Sequence, residues 1–150
     1  MVETSASISN AVRLRASVQT FVRRFGLLLA SATPCGQPLA TSHAHALMVL
    51  LGAGQSVRQN ELAEALCIDK SNVARLCAQM EERGHVTQMR ASDDGRGREV
   101  ALTSRGARVA REVTQASEQR FEQLLARIPR AQRRTVLAGL SALNAALDEK

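Results

Sequence analysis

The sequence predicts a mainly α-helical fold with one small β-hairpin, and three observations carry that expectation. First, 45% of the 150 residues are hydrophobic, yet only Phe21, Phe25 and Phe121 are aromatic and only three are proline. The core must therefore come from Leu, Val, Ala and Ile, a composition that favours helix. Second, apolar residues recur at three- and four-residue steps along most of the chain, the spacing that gathers them on one helical face. Third, only the segment from His85 to Thr103 alternates polar and apolar residues around a glycine-containing turn, as two paired strands do.

The first helix runs to about Leu29, with Leu14, Val18, Phe21, Val22, Phe25 and Leu29 on one face. Ser31 to Ser42, holding Pro34, Gly36 and Pro38, is a loop. Thr41 or Ser42 is positioned to cap a second helix through Leu51, closed by Gly52 and Gly54. Val57 to Asn60 leads into a third helix, with Gln59 or Asn60 near its cap and Leu62, Ala63, Ala65 and Leu66 on its apolar side. Cys67-Ile68-Asp69 is a turn, and Asp69 caps a fourth helix from Lys70 to Arg83. Val73, Leu76, Cys77 and Met80 face inward on it, and Gly84 ends it. After the hairpin, Thr103 caps a long helix to about Ile128, striped by Val109, Val113, Ala116, Phe121, Leu124, Leu125 and Ile128. Pro129 breaks it and opens a last helix striped by Val136, Leu137, Leu140, Leu143 and Leu147. The terminal helices lack intrachain company once the centre has folded, which suggests an intermolecular interface. The domains divide as 1–40, an N-terminal dimerisation helix and loop; 41–103, the central unit; and 104–150, C-terminal dimerisation helices.

Twenty Lys and Arg against fourteen Asp and Glu give a net charge of +6, almost all of the positive charge arginine. Guanidinium forks match phosphate geometry, so a polyanion is the expected partner. The three cysteines, Cys35, Cys67 and Cys77, show no pairing pattern. With a polar start lacking a signal-peptide core and no membrane-length apolar run, they imply a reduced, cytoplasmic setting. No glycine-rich phosphate loop, nucleophile elbow or apolar carboxylate pair points to catalysis. The expectation is no enzyme, no catalytic residue, no cofactor and no metal; His43 and His45, two apart, leave a helix on different faces.

The third and fourth helices with their short turn make a helix-turn-helix, which holds its second helix against a duplex with the N-terminal residues toward base edges. Small polar residues are needed there. Asn72 is suited to adenine, Ser71 to base or phosphate, Arg75 to guanine or phosphate, and Lys70 to phosphate. The following hairpin places Arg90, Arg96 and Arg98 around a thin tip containing Asp93 and Asp94. A basic loop of this kind can enter a minor groove, where narrowing concentrates negative potential. Asp94 can pair with a nearby arginine and leave Arg96 to insert. Double-stranded DNA is the expected partner; alone, either segment also reads as an ordinary solvated surface.

The string Glu61-Leu62-Ala63…Leu66…Ile68-Asp69-Lys70-Ser71-Asn72-Val73…Arg75-Leu76…Glu82-Arg83-Gly84…Val86, then Asp94-Gly95-Arg96…Val100-Ala101-Leu102-Thr103…Gly106, resembles the MarR family of bacterial regulators. The Asp-x-Arg wing and Leu-Thr-x-x-Gly are its most specific parts, and the match covers roughly residues 43 to 110. The resemblance implies a winged helix-turn-helix core whose N- and C-terminal dimerisation helices intertwine in a homodimer on a pseudo-palindromic operator. It places Ser71, Asn72 and Arg75 on the recognition helix and Asp94 and Arg96 in the wing, and implies a ligand-responsive repressor. It also implies a crevice for a small aromatic or anionic effector, for which Phe25, Leu29 and Leu47 are candidate walls and Arg15, His43 and His45 candidate polar groups.

Some relatives sense peroxide through a cysteine near the first helix flanked by tyrosines. This chain has no tyrosine, and Cys35 lies in the loop after that helix. Cys67 and Cys77 fall on apolar positions as small core residues, which leaves Cys35 as the exposed thiol. Two alternatives follow: a redox-responsive regulator using Cys35, and a dimeric helical protein-interaction adaptor that would not need the arginine-bearing wing.

Overall fold

The computed structural model describes residues 2–93 and 95–148, with side chains from residue 10 onward. Asp94, expected to pair within the wing, lies outside the described residues. The order is α1 (Val2–Phe25), α2 (Thr41–Ala53), β1 (Val57–Arg58), α3 (Gln59–Leu66), α4 (Lys70–Glu82), β2 (Val86–Arg90), β3 (Arg98–Leu102), α5 (Ser104–Ala126) and α6 (Arg130–Asp148). The fold is mainly helical with a small antiparallel sheet, as the sequence predicts. The chain divides into two compact units, Met1–Ala116 and Ser117–Lys150.

The first unit is built on α2, α3, α4 and the sheet. Leu47, Leu50, Leu62, Val73, Cys77, Met80, Val86, Val100 and Val113 are its largest fully buried side chains. Fully burying a Leu or Met contributes about 1.5–3 kcal/mol, so this aliphatic set can hold a small domain without aromatics. The inward residues of α4 follow its predicted stripe, since 73, 76, 77 and 80 repeat at helical spacing.

The predicted hairpin is a three-stranded sheet. β1 adds to the outer edge of β3, pairing Val57 with Val100 and Arg58 with Glu99. Two residues are too short to alternate visibly, which is why the sequence hid this strand. The expected cap of α3 moves accordingly: Arg58 ends the strand and caps the helix, and Glu61 accepts its N–H at 3.3 Å. On α2 the cap is Ala40, without a side-chain bond, instead of Thr41 or Ser42. Thr41 is already inside the helix, with its buried hydroxyl unpartnered. Gly52 lies within the helix, and Gly54 alone closes it in the left-handed conformation. α1 ends at Phe25, so Leu29 sits in the loop beyond it.

The joint between α4 and α5 explains the Leu-Thr-x-x-Gly motif. Gly84, at φ 73°, reverses the chain after α4. Thr103 Oγ1 donates to the Gly84 carbonyl at 2.6 Å and accepts from Gly106 N–H at 2.9 Å, so one hydroxyl closes one helix and caps the next. Gly106 packs directly on the His85 backbone, where a Cβ would lie under 3.0 Å from the carbonyl carbon and oxygen.

His85 also meets His43. Both are buried, with His43 Nε2 and His85 Nδ1 2.9 Å apart, so one imidazole donates and the other accepts. Burial, then the neighbouring His85 and Arg83, push His43 down to about 4. Burial, then Arg105 and Arg83, lower His85 as well. A histidine whose folded value is depressed binds its proton more readily when unfolded. Its stability contribution is therefore full above the ordinary value of 6.5 and lost as pH falls toward 4. Urea unfolding of the wild type should weaken across that window at up to about 1.4 kcal/mol per pH unit and per histidine. His43→Gln should flatten the slope; an unchanged slope would remove His43 as its source.

The second unit comprises the end of α5 and α6. Along α6 none of the described residues is buried, and Val136, Leu137, Leu140 and Leu147 are exposed. In the first unit, α1 likewise exposes Val12, Leu14, Val18 and Phe21. Among the described residues, no helix is long and apolar enough to cross a membrane.

Candidate nucleic-acid interface

The first turn of α4 is organised by Asp69. Its carboxylate accepts from Asn72 N–H at 2.7 Å, Ser71 Oγ at 2.8 Å and Asn72 Nδ2 at 2.8 Å. These donors, the Asn72 backbone first, hold its carboxyl below the usual range and keep it charged. Asp69 is thus the predicted cap. Beyond prediction, it also occupies two of the three side chains assigned to base reading, Ser71 and Asn72. Asn72 keeps its amide oxygen available but must release Nδ2 before it can read adenine bidentately. Lys70 is exposed beside the same turn.

Asn72, Arg75 and Gln79 fall at steps of three and four, so they share one face of α4. With Ser42, Ile68 and Leu76 they line an open groove of about 300 Å³. Gln79 and Ser42 were not assigned from sequence. The face periodicity points to Gln79; Ser42 reaches the groove only because α2 packs beside α4.

In the wing, β2 and β3 pair in register from Val86–Leu102 to Arg90–Arg98. Arg90 therefore stands directly opposite Arg98, a like-charge pair that works against the hairpin in isolation. Glu99, next in β3, instead accepts from Ser56 Oγ at 3.1 Å. Arg90, Arg96 and Arg98 line an open cleft of about 590 Å³ with Arg58, Gln59 and Asn60. Arg58, which sequence reasoning missed, is ion-paired with Asp93. Behind the cleft, Glu81 of α4 accepts from Gln88 N–H at 3.0 Å and Gln88 Nε2 at 2.9 Å, and Gln59 Nε2 donates to Gln88 Oε1. This relay ties wing, recognition helix and α3 together.

The residues assigned to an effector are dispersed in environment. His43 is buried against His85 and His45 is exposed one face away. Leu47 has no accessible surface and belongs to the core. Phe25 stacks on Phe21 at 5.1 Å, while Arg15 and Leu29 are exposed. Of the thiols, Cys77 is placed as expected and Cys67 and Cys35 are not. Cys77 is a buried core residue, its thiol pushed up to about 11 by burial and Glu81. Cys67 is exposed at the left-handed end of α3, its thiol 3.7 Å from the Glu64 carbonyl oxygen. Cys35 is half-buried, 2.9 Å from the Thr33 hydroxyl. Among the described residues, no group of three or more His, Cys, Asp or Glu could hold a metal ion.

Residues 38–97 match the model of the MarR family. Solved structures give the same fold over most of the chain. A probable transcriptional regulator from Pseudomonas aeruginosa is 24% identical, covering 84% of this chain and 92% of its own at a TM-score of 0.70. MepR of S. aureus in complex with DNA is 17% identical, covering 97% and 96% at 0.67. PcaV of Streptomyces coelicolor with its natural ligand is 21% identical, covering 90% and 92% at 0.68. No curated protein matches the chain by sequence. The Pseudomonas aeruginosa protein and PcaV are described as transcriptional regulators.

Proposed function

We propose that this chain, which carries the MarR family's winged-helix core, is a cytoplasmic DNA-binding transcriptional regulator. It acts as a homodimer on a pseudo-palindromic operator and represses until a small aromatic or anionic effector binds. The observation that carries the reading is Arg90 opposite Arg98 in a cleft shared with Arg96. Arginines set face to face cost stability unless a polyanion meets them, and a duplex backbone does so. The groove of α4, lined by Asn72, Arg75 and Gln79, supports the major-groove half of the reading. Lys70, Ser71, Asn72 and Arg75 contact the major groove and its edge, Arg96 enters the minor groove, and Arg90 and Arg98 neutralise phosphates. MepR bound to DNA and PcaV bound to a ligand support the partner classes. The exposed apolar residues of α1 and α6 support the dimer.

A gel shift with the intergenic DNA beside the protein's own gene tests this. A discrete, competable shift is expected, and its absence at low salt would favour an adaptor. Arg96→Ala should weaken binding roughly tenfold and reduce the slope of log affinity against log salt by about 0.9 if its contact is phosphate-like. Wild-type affinity and slope would remove Arg96 from the interface.

A further inference from the structure

We propose that the cleft between the β1–α3 junction and the wing takes a DNA backbone phosphate on Arg58, and that Asp93 is an internal competitor for that arginine. The proposal rests on the DNA-binding reading above and adds a site and an autoinhibitory contact to it.

Arg58 ends β1 and is pinned at its backbone, with its N–H bonded to Glu61 and its Cα paired with Glu99 across the sheet. Its side chain faces the cleft that also holds Arg90, Arg96 and Arg98. Arg58, Arg90, Arg96 and Arg98 all line one open space of about 590 Å³, and that concentration of positive charge favours an anion there. In the free protein the Asp93 carboxylate meets Arg58. A carboxylate presents oxygens to a guanidinium as a phosphate does, so Asp93 stands in for the ligand. The side chains of Arg58 and Asp93 are 38% and 63% exposed, so solvent screens the pair and its rupture costs little. A duplex phosphate displaces it with the added gain of counterion release. Glu99, the other carboxylate opposite Arg58 in the sheet, is engaged by Ser56.

The test is a salt titration of a mixed-sequence 30-base-pair duplex by fluorescence anisotropy, with full-length wild type, Arg58→Ala, Arg58→Lys, Asp93→Asn and the Arg58→Ala/Asp93→Asn double variant. Arg58→Ala should weaken binding and lower the salt slope by about 0.9, whereas Arg58→Lys should keep the slope. Asp93→Asn should tighten binding by up to about fivefold, the range of an exposed ion pair, and most of that gain should vanish in the double variant. Weaker binding by Asp93→Asn would overturn the proposal, since the pair would then hold the wing in its active shape. An equal gain with and without Arg58, or a wild-type slope in Arg58→Ala, would also overturn it. Failure of the wild type to bind any duplex at low salt would instead overturn the regulator reading itself.

Discussion

Gly106→Ala is expected to destabilise the first unit by ~3 kcal/mol or more, enough to leave much of a marginally stable domain unfolded. The added methyl would have to occupy the position of the His85 carbonyl, which is backbone and cannot rotate aside. Moving α5 away instead would break the Thr103 bonds to Gly84 and Gly106 and disturb the His43–His85 pair. Gly139→Ala is the control. Nothing lies within 4 Å of that position on α6, and replacing glycine by alanine in a helix interior should stabilise by about 1 kcal/mol. Urea unfolding of the two variants should therefore move in opposite directions. Equal, small shifts would show that the α4–α5 joint is more compliant than its packing implies.

The second large effect is expected from Leu137→Glu combined with Leu140→Glu. These residues are 62% and 50% exposed, so the change removes only part of a side chain's intrachain packing at each position. It should nonetheless give a monomer by sedimentation, because two carboxylates would have to be buried in the proposed interface. Operator affinity should then fall about 100-fold or more, since the second half-site is no longer tethered to the first. Removing the residues after Pro129 should do the same. A dimer that survives both changes would place the interface elsewhere.

Where periodicity was long, the sequence was sufficient. The stripes of α4 and α5 and the alternation of β2 and β3 are local consequences of helical and strand geometry. Short or non-periodic features were not legible. β1 has two residues, Arg58 caps α3 through backbone geometry, and Cys67 ends α3 in the left-handed conformation without being a glycine. The residues of α4 and the wing proposed to face DNA could be nominated from sequence because their chemistry is encoded in residue type. Their engagement with Asp69 was only half legible. An aspartate before a helix announces a cap, but not that Ser71 and Asn72 would both turn back to it.

By itself, then, the sequence determined the order of the six helices and the hairpin, the aliphatic core and the basic charge of that hairpin, since each follows from spacing and composition within one segment. Only the tertiary structure decided which distant groups meet: Arg58 with Asp93, His43 with His85, Gly106 with the His85 carbonyl. Those contacts join residues tens of positions apart, and which partner a side chain finds there is set by how α2, α4 and the sheet pack, which no local pattern records.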